Sequence, residues 1–421
     1  MGRKLAAPPS VWAAPVATPR APLKGSHQCD LVVVGGGLVG LTAAKVASQY
    51  GLCVMLVEAD SVGSGASGAN AAGVAPIWGA QTPDGLIAEV GAERAAILNQ
   101  ALAIAGSALV EQARAIPFDC GTVGGGYLAL AAKANTAATF VNLVEQWKRA
   151  GADVTLLGKS LADHVDSPRY VEAMLFASGG TLNPRAYAEG LARLCEDQGV
   201  RIFEQSRVTG MQRQRGRWSI ESASGRIEAA TAVLAVHGAA SSGWDLDQMG
   251  WRVDCQLIGS APLSDAQRKA LPTAPTFADL DDASVFGGTV AADGRLIATV
   301  LPGPGRPSLA EAAEIYSAKL ARAFPDMTLP LWESMDCGHI LLTPAKVPRL
   351  IQLGEGLYAG QGCNGFGLCA GTLLGEDLAR LAIRRPEISH RFPLETPRIS
   401  KLARIAPILA RLAAPVVRRF S

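Results

Sequence analysis

The strongest constraint on the fold of this sequence is a glycine-rich turn that follows an apolar run near the N-terminus. The run DLVVV, residues 30–34, is typical of a strand that a parallel sheet buries on both faces. Gly35, Gly37 and Gly40 then complete the pattern GxGxxG at the start of a helical segment. In this pattern the glycines permit a tight turn, the approach of a pyrophosphate to the backbone, and close packing of helix on strand.

An acidic residue strengthens this interpretation. Glu58 ends the next apolar run, LCVMLVE, where its carboxylate can accept a hydrogen bond from a ribose hydroxyl. The positive end of the helix dipole would favour the phosphates. Together these features predict a dinucleotide site, and an ordinary glycine turn is the alternative.

Composition is typical of a well-packed globular protein. Of its 421 residues 49% are hydrophobic and 18% charged, and the formal net charge is only +2, so we expect no nucleic-acid partner. The eight cysteines include no CxxC pair, which indicates a reduced, cytoplasmic protein, and we expect no metal site. No charge-free apolar window reaches the length of about 18 residues that a membrane-spanning helix needs.

The two termini differ from the rest of the chain. Residues 1–28 contain five prolines and no uninterrupted apolar segment, so we predict an extended surface arm and not a cleaved signal peptide. Residues 399–421 alternate apolar and basic residues, which would suit weak contact with a membrane surface or another subunit. A terminal helix packed on its own protein is the alternative, although Pro407 and Pro415 would break a long helix.

The remaining patterns predict an α/β domain combined with an α+β domain. Strand and helix signals of a Rossmann-like domain occur in three separated segments, residues 29–85, 178–243 and 335–398. The blocks between them carry short alternating segments that predict a mostly antiparallel, substrate-binding sheet, in residues 86–177 and 244–334. We therefore expect one domain to be inserted into the other.

A second glycine-rich segment indicates which dinucleotide binds. The loop SVGSGASGANAAG, residues 61–73, has small residues that let the backbone lie against a flat ring, and Ser64, Ser67 and Asn70 add polar groups. A nicotinamide dehydrogenase has no evident need of such a loop at this point, whereas a flavin must be held in place. The loop therefore predicts a flavin, with a flexible glycine loop as the alternative.

A third glycine-rich segment lies near the other end of the chain. GQGCNGFGLCAG, residues 360–371, is again a strand-to-helix turn. Its helix N-terminus would stabilise the negative charge of a reduced flavin. We therefore predict that both turns hold one ligand, and a simple helix-start turn is the alternative.

Over residues 9–397 the chain resembles the FAD-dependent oxidoreductases of the D-amino-acid oxidase superfamily. It is most similar to the branch of γ-glutamylputrescine, glycine and sarcosine oxidases, through the motifs PSVW, GASGAN, GGTLNPRAYAEGLA and HILLTPAKVPRLIQLGEGLYAGQGCNGFG. It departs from the family pattern at Ala69, at Ala71 and Ala72, at residues 352–353 and at Cys363. We expect the last two departures to alter the pocket more than the fold.

The resemblance implies that FAD is bound non-covalently and accepts a hydride at N5 from the carbon beside an amine or amino-acid nitrogen, giving an imine that water hydrolyses. Oxygen, or a protein or quinone carrier, would then reoxidise the flavin. Some relatives attach FAD to a cysteine, for which Cys337 is the candidate here. The implied FAD-binding residues are Gly35, Gly37, Leu38, Val39, Gly40, Glu58, Ala59, Gly65, Ala66, Ser67, Asn70, Ala71, Ala72, Val208, His237, Gly238, Gly362, Cys363, Asn364, Gly365 and Gly367.

Three residues are candidates for contact with the substrate. His339 lies on the strand before the final glycine turn, which faces the flavin in this family; a buried structural histidine is the alternative. Tyr127 could orient an amine, and Arg295 could clamp a substrate carboxylate. Arg349 is a weaker candidate for the same clamp. For Tyr127 and Arg295, a solvent-facing or core role is the alternative.

Two other interpretations of function stay open. A flavin reductase that uses NAD(P)H would need a second GxGxxG unit, and the segment GTVGGGY, residues 121–127, lacks the strand before it and the helix after it. An FAD-containing subunit of a multi-subunit amine or amino-acid dehydrogenase would pass its electrons to a partner. The C-terminal tail could then serve in docking.

Overall fold

The computed structural model describes residues 8–12, 19–79, 81–236, 246–282, 286–301, 307–385 and 387–398. In chain order its strands are β1 (Gly25–Val34), β2 (Val54–Val57), β3 (Gly73–Val74), β4 (Val123–Gly124), β5 (Tyr127–Ala131), β6 (Val154–Leu156), β7 (Glu172–Phe176), β8 (Gly180–Thr181), β9 (Arg201–Phe203), β10 (Val208–Gln214), β11 (Arg217–Ser222), β12 (Gly225–Leu234), β13 (Trp251–Pro262), β14 (Thr276–Asp279), β15 (Phe286–Val290), β16 (Arg295–Val300), β17 (Trp332–Leu342), β18 (Arg349–Gly354), β19 (Leu357–Gln361) and β20 (Leu394–Glu395). The helices are α1 (Leu38–Gln49), α2 (Gly85–Val90), α3 (Ala92–Ala115), α4 (Ala134–Arg149), α5 (Leu161–His164), α6 (Pro184–Asp197), α7 (Asp265–Ala270), α8 (Leu309–Ala323) and α9 (Gly367–Ile383).

The first large sheet has β1 in its interior, in the order β20-β18-β19-β12-β1-β2-β9, with β10 and β11 attached beside β12. β1 pairs in parallel with β12 and β2, and the parallel run continues to β19 and β9. Leu31 and Val33 share a core with α1, α6 and α9, while Val32 and Val34 pack with the β10–β11 pair. Burial on both faces explains why this strand is uninterruptedly apolar.

The second large sheet has the order β17-β13-β16-β15-β14-β5-β7-β6. Its neighbouring strands are antiparallel except for β14 and β5. Helix α8 packs against β13, β16 and β17, and its Tyr316 and Leu320 are fully buried there. The predicted fold class is confirmed, since strands from three separated segments build the parallel sheet and the segments between them build a mostly antiparallel one.

Two strands cross segment boundaries that the sequence patterns predicted for the domains and the arm. The division between residues 334 and 335 falls inside β17, which pairs with β13 from Trp332 to Leu342 and so belongs to the second sheet. β1 begins at Gly25, within the segment assigned to the arm. In both places a continuous hydrogen-bonded ladder, and not a change of composition, sets where the segment ends.

Two described residues of the arm, Val11 and Trp12, are buried, so for them the prediction of a surface position is wrong. The amide of Met335 donates a hydrogen bond to the carbonyl oxygen of Pro9 (2.9 Å), and the amide of Val11 donates one to Asp336 Oδ2 (2.9 Å). Val11 and Trp12 are 0% and 3% exposed. Burial of each large apolar side chain stabilises the fold by about 1.5–3 kcal/mol, which favours an inserted arm over a solvated one.

The predicted C-terminal tail, residues 399–421, lies outside the part of the chain that the structure describes. The last strand of that part, β20, pairs in parallel with β18. Among the described helices, none is both long enough and apolar enough to cross a membrane.

Candidate cofactor and substrate site

The turn between β1 and α1 requires glycine at its three predicted positions. Gly35 has a φ of 109°, and a Cβ there would lie 2.6 Å from the carbonyl oxygen of Ala235. A Cβ on Gly37 would lie 2.8 Å from Ser67 Oγ, and one on Gly40 would lie 2.0 Å from the carbonyl oxygen of Gly35. The turn is therefore tightly packed where it leads into α1, and a helix N-terminus is a place where an anion can bind.

Glu58 lies directly beside this turn. Its Oε2 accepts a hydrogen bond from the amide of Gly36 (2.6 Å), and its Oε1 accepts one from the amide of Asp60 (2.9 Å). A carboxylate has about four acceptor positions, so each oxygen keeps one for a ligand hydroxyl. Of the other residues predicted on this side, Val208 is the buried first residue of β10, whereas His237 and Gly238 lie outside the described residues.

The loop at residues 61–73 is held by its own polar side chains. Ser67 Oγ accepts a hydrogen bond from the amide of Leu38 (2.8 Å), which joins the loop to the start of α1. Asn70 Nδ2 donates to the carbonyl oxygens of Ala66 (3.1 Å) and Ser67 (2.9 Å), and its Oδ1 accepts from the amide of Ala72 (2.8 Å). These bonds favour a shaped loop over the alternative of a flexible one.

The N-terminal arm completes the support of this loop. The indole Nε1 of Trp12 donates a hydrogen bond to the carbonyl oxygen of Asn70 (2.8 Å), and its ring packs in one cluster with Ala71 and Ala72. Sequence reasoning did not assign this role to Trp12. The available signal was the motif PSVW ahead of the first strand.

The final glycine turn, between β19 and α9, also depends on unusual backbone conformations. Gly362, Asn364 and Gly365 have φ values of 98°, 49° and 95°. Asn364 holds its conformation through two bonds, since its Oδ1 accepts from the amide of Thr343 (2.8 Å) and its Nδ2 donates to the carbonyl oxygen of Ala345 (2.9 Å). These hydrogen bonds therefore fix the turn to the connection between β17 and β18.

The two glycine turns meet at one cavity of about 270 Å³. Helix α1 packs against α9, so the first residues of both helices reach it. Its wall on the first-domain side consists of Leu38, Val39, Ala66, Ser67, Ala69, Asn70, Ala71, Ala72, Gly73, Ala75, Cys363, Gly365, Phe366, Gly367, Leu368 and Cys369. Its wall on the other side consists of Tyr127, Cys255, Thr276, Phe277, Ala278, Gly287, Gly288, Thr289, Thr299, His339 and Ile340.

The second sheet forms the roof of this cavity with a row of hydroxyl groups. Tyr127 on β5 lies opposite Thr276 on β14, which lies opposite Thr289 on β15. The two threonine hydroxyls are 3.4 Å apart, and Thr276 also donates to the carbonyl oxygen of Gly180 (2.9 Å). Tyr127 is 2% exposed, and its hydroxyl has no hydrogen-bond partner within the described residues.

His339 lines the same cavity from β17, where it lies opposite Asp254. Burial lowers the pKa of its imidazole, the positive charge of Arg252 lowers the pKa further, and Asp254 partly opposes both effects. Burial also raises the pKa of the Tyr127 hydroxyl. Both side chains are therefore uncharged near pH 7 and available for neutral hydrogen bonds.

The two predicted arginines lie elsewhere. Arg295 forms an ion pair with Asp293 (2.7 Å), with its guanidinium 5.9 Å from the centre of the Trp12 ring. Arg349 forms ion pairs with Glu89 (2.9 Å) and Glu395 (3.1 Å). Neither belongs to the residues that line the cavity, so the structure does not support either as a carboxylate clamp.

The cysteines near the site are thiols. Cys337, the candidate for covalent attachment, is exposed and is not among the cavity-lining residues. Cys363 and Cys369 do line the cavity, and burial raises the pKa of each to about 12. Both are protonated at pH 7 and act as small apolar groups there.

A family model described as FAD dependent oxidoreductase (DAO) matches residues 30–381. The chain is 28% identical over 366 residues to a gamma-glutamylputrescine oxidoreductase of Escherichia coli K12, covering 85% of this chain and 84% of the relative. The fold is similar to that of glycine oxidase from Geobacillus kaustophilus (TM-score 0.69, 21% identity, 86% of this chain and 98% of that one). It is equally similar to L-proline dehydrogenase from P. horikoshii (TM-score 0.69, 19% identity, 86% and 93%).

Proposed function

Because this chain belongs to the DAO family of FAD-dependent oxidoreductases, we propose that its reaction is the oxidation of a C–N bond in an amine or amino acid. The chain is thus an oxidoreductase that uses FAD, and the proposal concerns its substrate. The names of three similar proteins refer to gamma-glutamylputrescine, glycine and L-proline, which all contain such a bond. The observation that carries the proposal is the cavity between the two glycine turns and the hydroxyl row of Tyr127, Thr276 and Thr289.

The residues present fit FAD. The first glycine turn has no room for a Cβ, and a pyrophosphate could approach its backbone and the positive end of the α1 dipole. Glu58 would accept a hydrogen bond from a ribose hydroxyl, residues 65–72 would lie against the isoalloxazine, and the start of α9 would face its pyrimidine edge. When bound, FAD supplies the acceptor for a hydride from the carbon beside the substrate nitrogen.

The protein's own part is to position the substrate and control its surroundings. The roof of the cavity would hold the substrate carbon over the loop at residues 65–72, with Tyr127 and His339 as its hydrogen-bonding groups. Phe366, which lines the cavity, would limit the access of water to this space. Partial negative charge from a reduced flavin would be stabilised by the amide dipoles at the start of α9.

An anaerobic titration tests this function. We expect purified protein to show an oxidised-flavin absorbance spectrum that is bleached by members of a panel of amines, N-methyl amino acids and D- and L-amino acids. The carbonyl product and the released amine or ammonia should appear in equal amounts. A protein that binds FAD but is bleached by no member of the panel would overturn the proposal.

The proposal also covers the electron acceptor, which would be oxygen or a protein or quinone carrier. Mixing the reduced protein with air-saturated buffer distinguishes oxygen from a carrier, since an oxidase recovers its oxidised-flavin spectrum within the turnover time. Free thiols at all eight cysteines support a reducing compartment such as the cytoplasm.

A further inference from the structure

The cavity is lined by uncharged groups on both walls. Among its described lining residues there is no aspartate, glutamate, lysine or arginine. The polar groups of the roof are the hydroxyls of Tyr127, Thr276, Thr289 and Thr299 and the imidazole of His339. Arg252, whose charge acts on His339, forms an ion pair with Asp254 (2.8 Å). The two arginines outside the cavity wall are also paired, Arg295 with Asp293 and Arg349 with two glutamates.

The uncharged lining determines which ligand groups the cavity can bind. A carboxylate buried without a cation or several donors loses its hydration without replacement, and proteins recognise carboxylates chiefly through the paired donors of an arginine. An uncharged cavity also disfavours an ammonium group and favours the neutral amine, which is the form able to lose a hydride. A neutral amine would therefore enter with little penalty, whereas an amino acid would bring an unpaired carboxylate.

The roof also provides space for a hydrocarbon chain. Beside the hydroxyl row runs a second row of small residues, in which Ala129 on β5 lies opposite Ala278 on β14, and Ala278 lies opposite Gly287 on β15. The absence of long side chains along this row leaves an apolar strip next to Tyr127. An unpartnered hydroxyl at the edge of an apolar strip matches a ligand with one polar group and an apolar body.

We propose that the substrate is an amine without an α-carboxylate, whose N–H group donates a hydrogen bond to the Tyr127 hydroxyl while its hydrocarbon body lies along Ala278 and Gly287, which line the cavity. The inference rests on the proposed C–N oxidation and narrows its substrate class. Donation from the N–H group leaves the nitrogen lone pair free. As the C–H bond breaks and the hydride leaves for FAD, that lone pair forms the C=N bond of an iminium ion, which gives one N–H proton to solvent water and becomes the neutral imine.

Matched substrate pairs test this inference on the holoenzyme. Each pair consists of an amine and its α-carboxylated counterpart: n-butylamine with D- and L-norvaline, and N-methylbutylamine with N-methylnorvaline. We expect kcat/KM for anaerobic flavin reduction to be on the order of 100-fold higher for the amine, since a buried polar group without a partner is strongly rejected. Faster reduction by the amino acids overturns this inference but leaves C–N oxidation standing, and reduction by neither class overturns both.

Tyr127→Phe tests the proposed contact. Since the hydroxyl has no partner in the described protein, its removal should leave the melting temperature unchanged or raise it. We expect kcat/KM for the amine to fall about 10-fold while FAD affinity stays the same. The matched control is Tyr316→Phe, because Tyr316 packs on the α8 side of the same sheet and donates to the carbonyl oxygen of Gly287 (3.0 Å). That variant should lose stability and keep its kcat/KM. Unchanged kcat/KM in Tyr127→Phe would overturn the contact.

Discussion

The indole nitrogen of Trp12 lies 2.8 Å from the carbonyl oxygen of Asn70 and donates a hydrogen bond to it, which fixes the N-terminal arm to the loop that lines the cavity. Asn70 in turn bonds to three other backbone positions of the same loop. A residue at the beginning of the chain thereby supports a loop that would lie against the flavin. The arm supports the site, although none of its described residues lies in the cavity wall.

Trp12→Phe should weaken FAD binding, because it keeps an aromatic ring in the cluster but removes the hydrogen bond to Asn70 together with part of the buried ring. A net hydrogen bond contributes about 1 kcal/mol, so the Kd for FAD should rise about fivefold. Fluorescence titration of the apoprotein measures this change. Trp218→Phe is the control, since Trp218 also donates to a carbonyl oxygen, that of Glu355 (3.0 Å), far from the loop. Equal FAD affinity in both variants would contradict a supporting role for the arm.

Glu58→Gln should weaken FAD binding more strongly. The substitution replaces one oxygen with an amide group that cannot accept from Gly36 or Asp60, and it removes the charge. Hydrogen bonds to charged groups contribute about 1.5–3 kcal/mol, so we expect at least a tenfold rise in Kd by the same titration. Asp30→Asn is the matched control, because Asp30, in the middle of β1, accepts from the amide of Cys53 (2.8 Å) and not from the glycine turn. The prediction is contradicted if Asp30→Asn weakens FAD binding as much.

Two substitutions of Asn364 separate the effect of backbone strain from the effect of its side-chain hydrogen bonds. Asn364→Ala and Asn364→Gly both lose the bonds to Thr343 and Ala345, but only alanine meets strain at a φ of 49°. We expect the glycine variant to be less stable than the natural protein, and the alanine variant to be less stable still by about 1 kcal/mol. Denaturant unfolding of the apoproteins gives the three free energies, and equal values for the two variants would contradict the argument.

His339 should make the fold sensitive to acid. Burial lowers the pKa of His339, so the unfolded chain, in which histidine titrates near 6.5, binds a proton more readily than the folded one. Stability is therefore fully present above about pH 6.5 and decreases as the pH falls toward the lowered folded pKa. His339→Asn should reduce the difference between the unfolding free energies at about pH 5 and pH 7.5. A variant with the same pH dependence as the natural protein would contradict this assignment.

Arg349→Met should destabilise the fold without changing substrate preference. Its guanidinium joins Glu89 before α3 to Glu395 in the last strand, and its side chain is only 12% exposed. Removing one partner of such a cluster leaves two carboxylates unpaired and costs about 3 kcal/mol. Thermal unfolding measures the loss of stability, and the ratio of the rates with amine and amino-acid substrates should stay unchanged. A changed preference at unchanged stability would restore Arg349 as a clamp.

The parts of the site that local sequence encodes were predictable. Gly35, Gly37 and Gly40 follow from steric limits that act within a few residues, and the loop at residues 61–73 carries its own hydrogen-bonding side chains. The alternation of apolar and polar residues likewise indicated the strands of the second sheet. These features depend on neighbours along the chain, which a sequence displays directly.

The substrate side was less predictable because it depends on which strands lie opposite each other. Thr276 and Thr289 join Tyr127 in one row only through the pairing of β5, β14 and β15, and no local pattern states that pairing. Arg349 meets Glu89 across most of the length of the chain. Arg295 is different, because Asp293 stands two positions before it and could have been read as its partner.

The interior position of β1 has a consequence for biosynthesis. One of the first strands to leave the ribosome pairs with β12, which is joined in turn to β19, and α1 needs α9 to cover its apolar surface. A nascent chain that has been translated as far as β17 therefore still exposes the apolar face of α1. We expect chaperones to hold this intermediate, and a protein truncated before Gly367 to aggregate during translation even though most of its second sheet is complete.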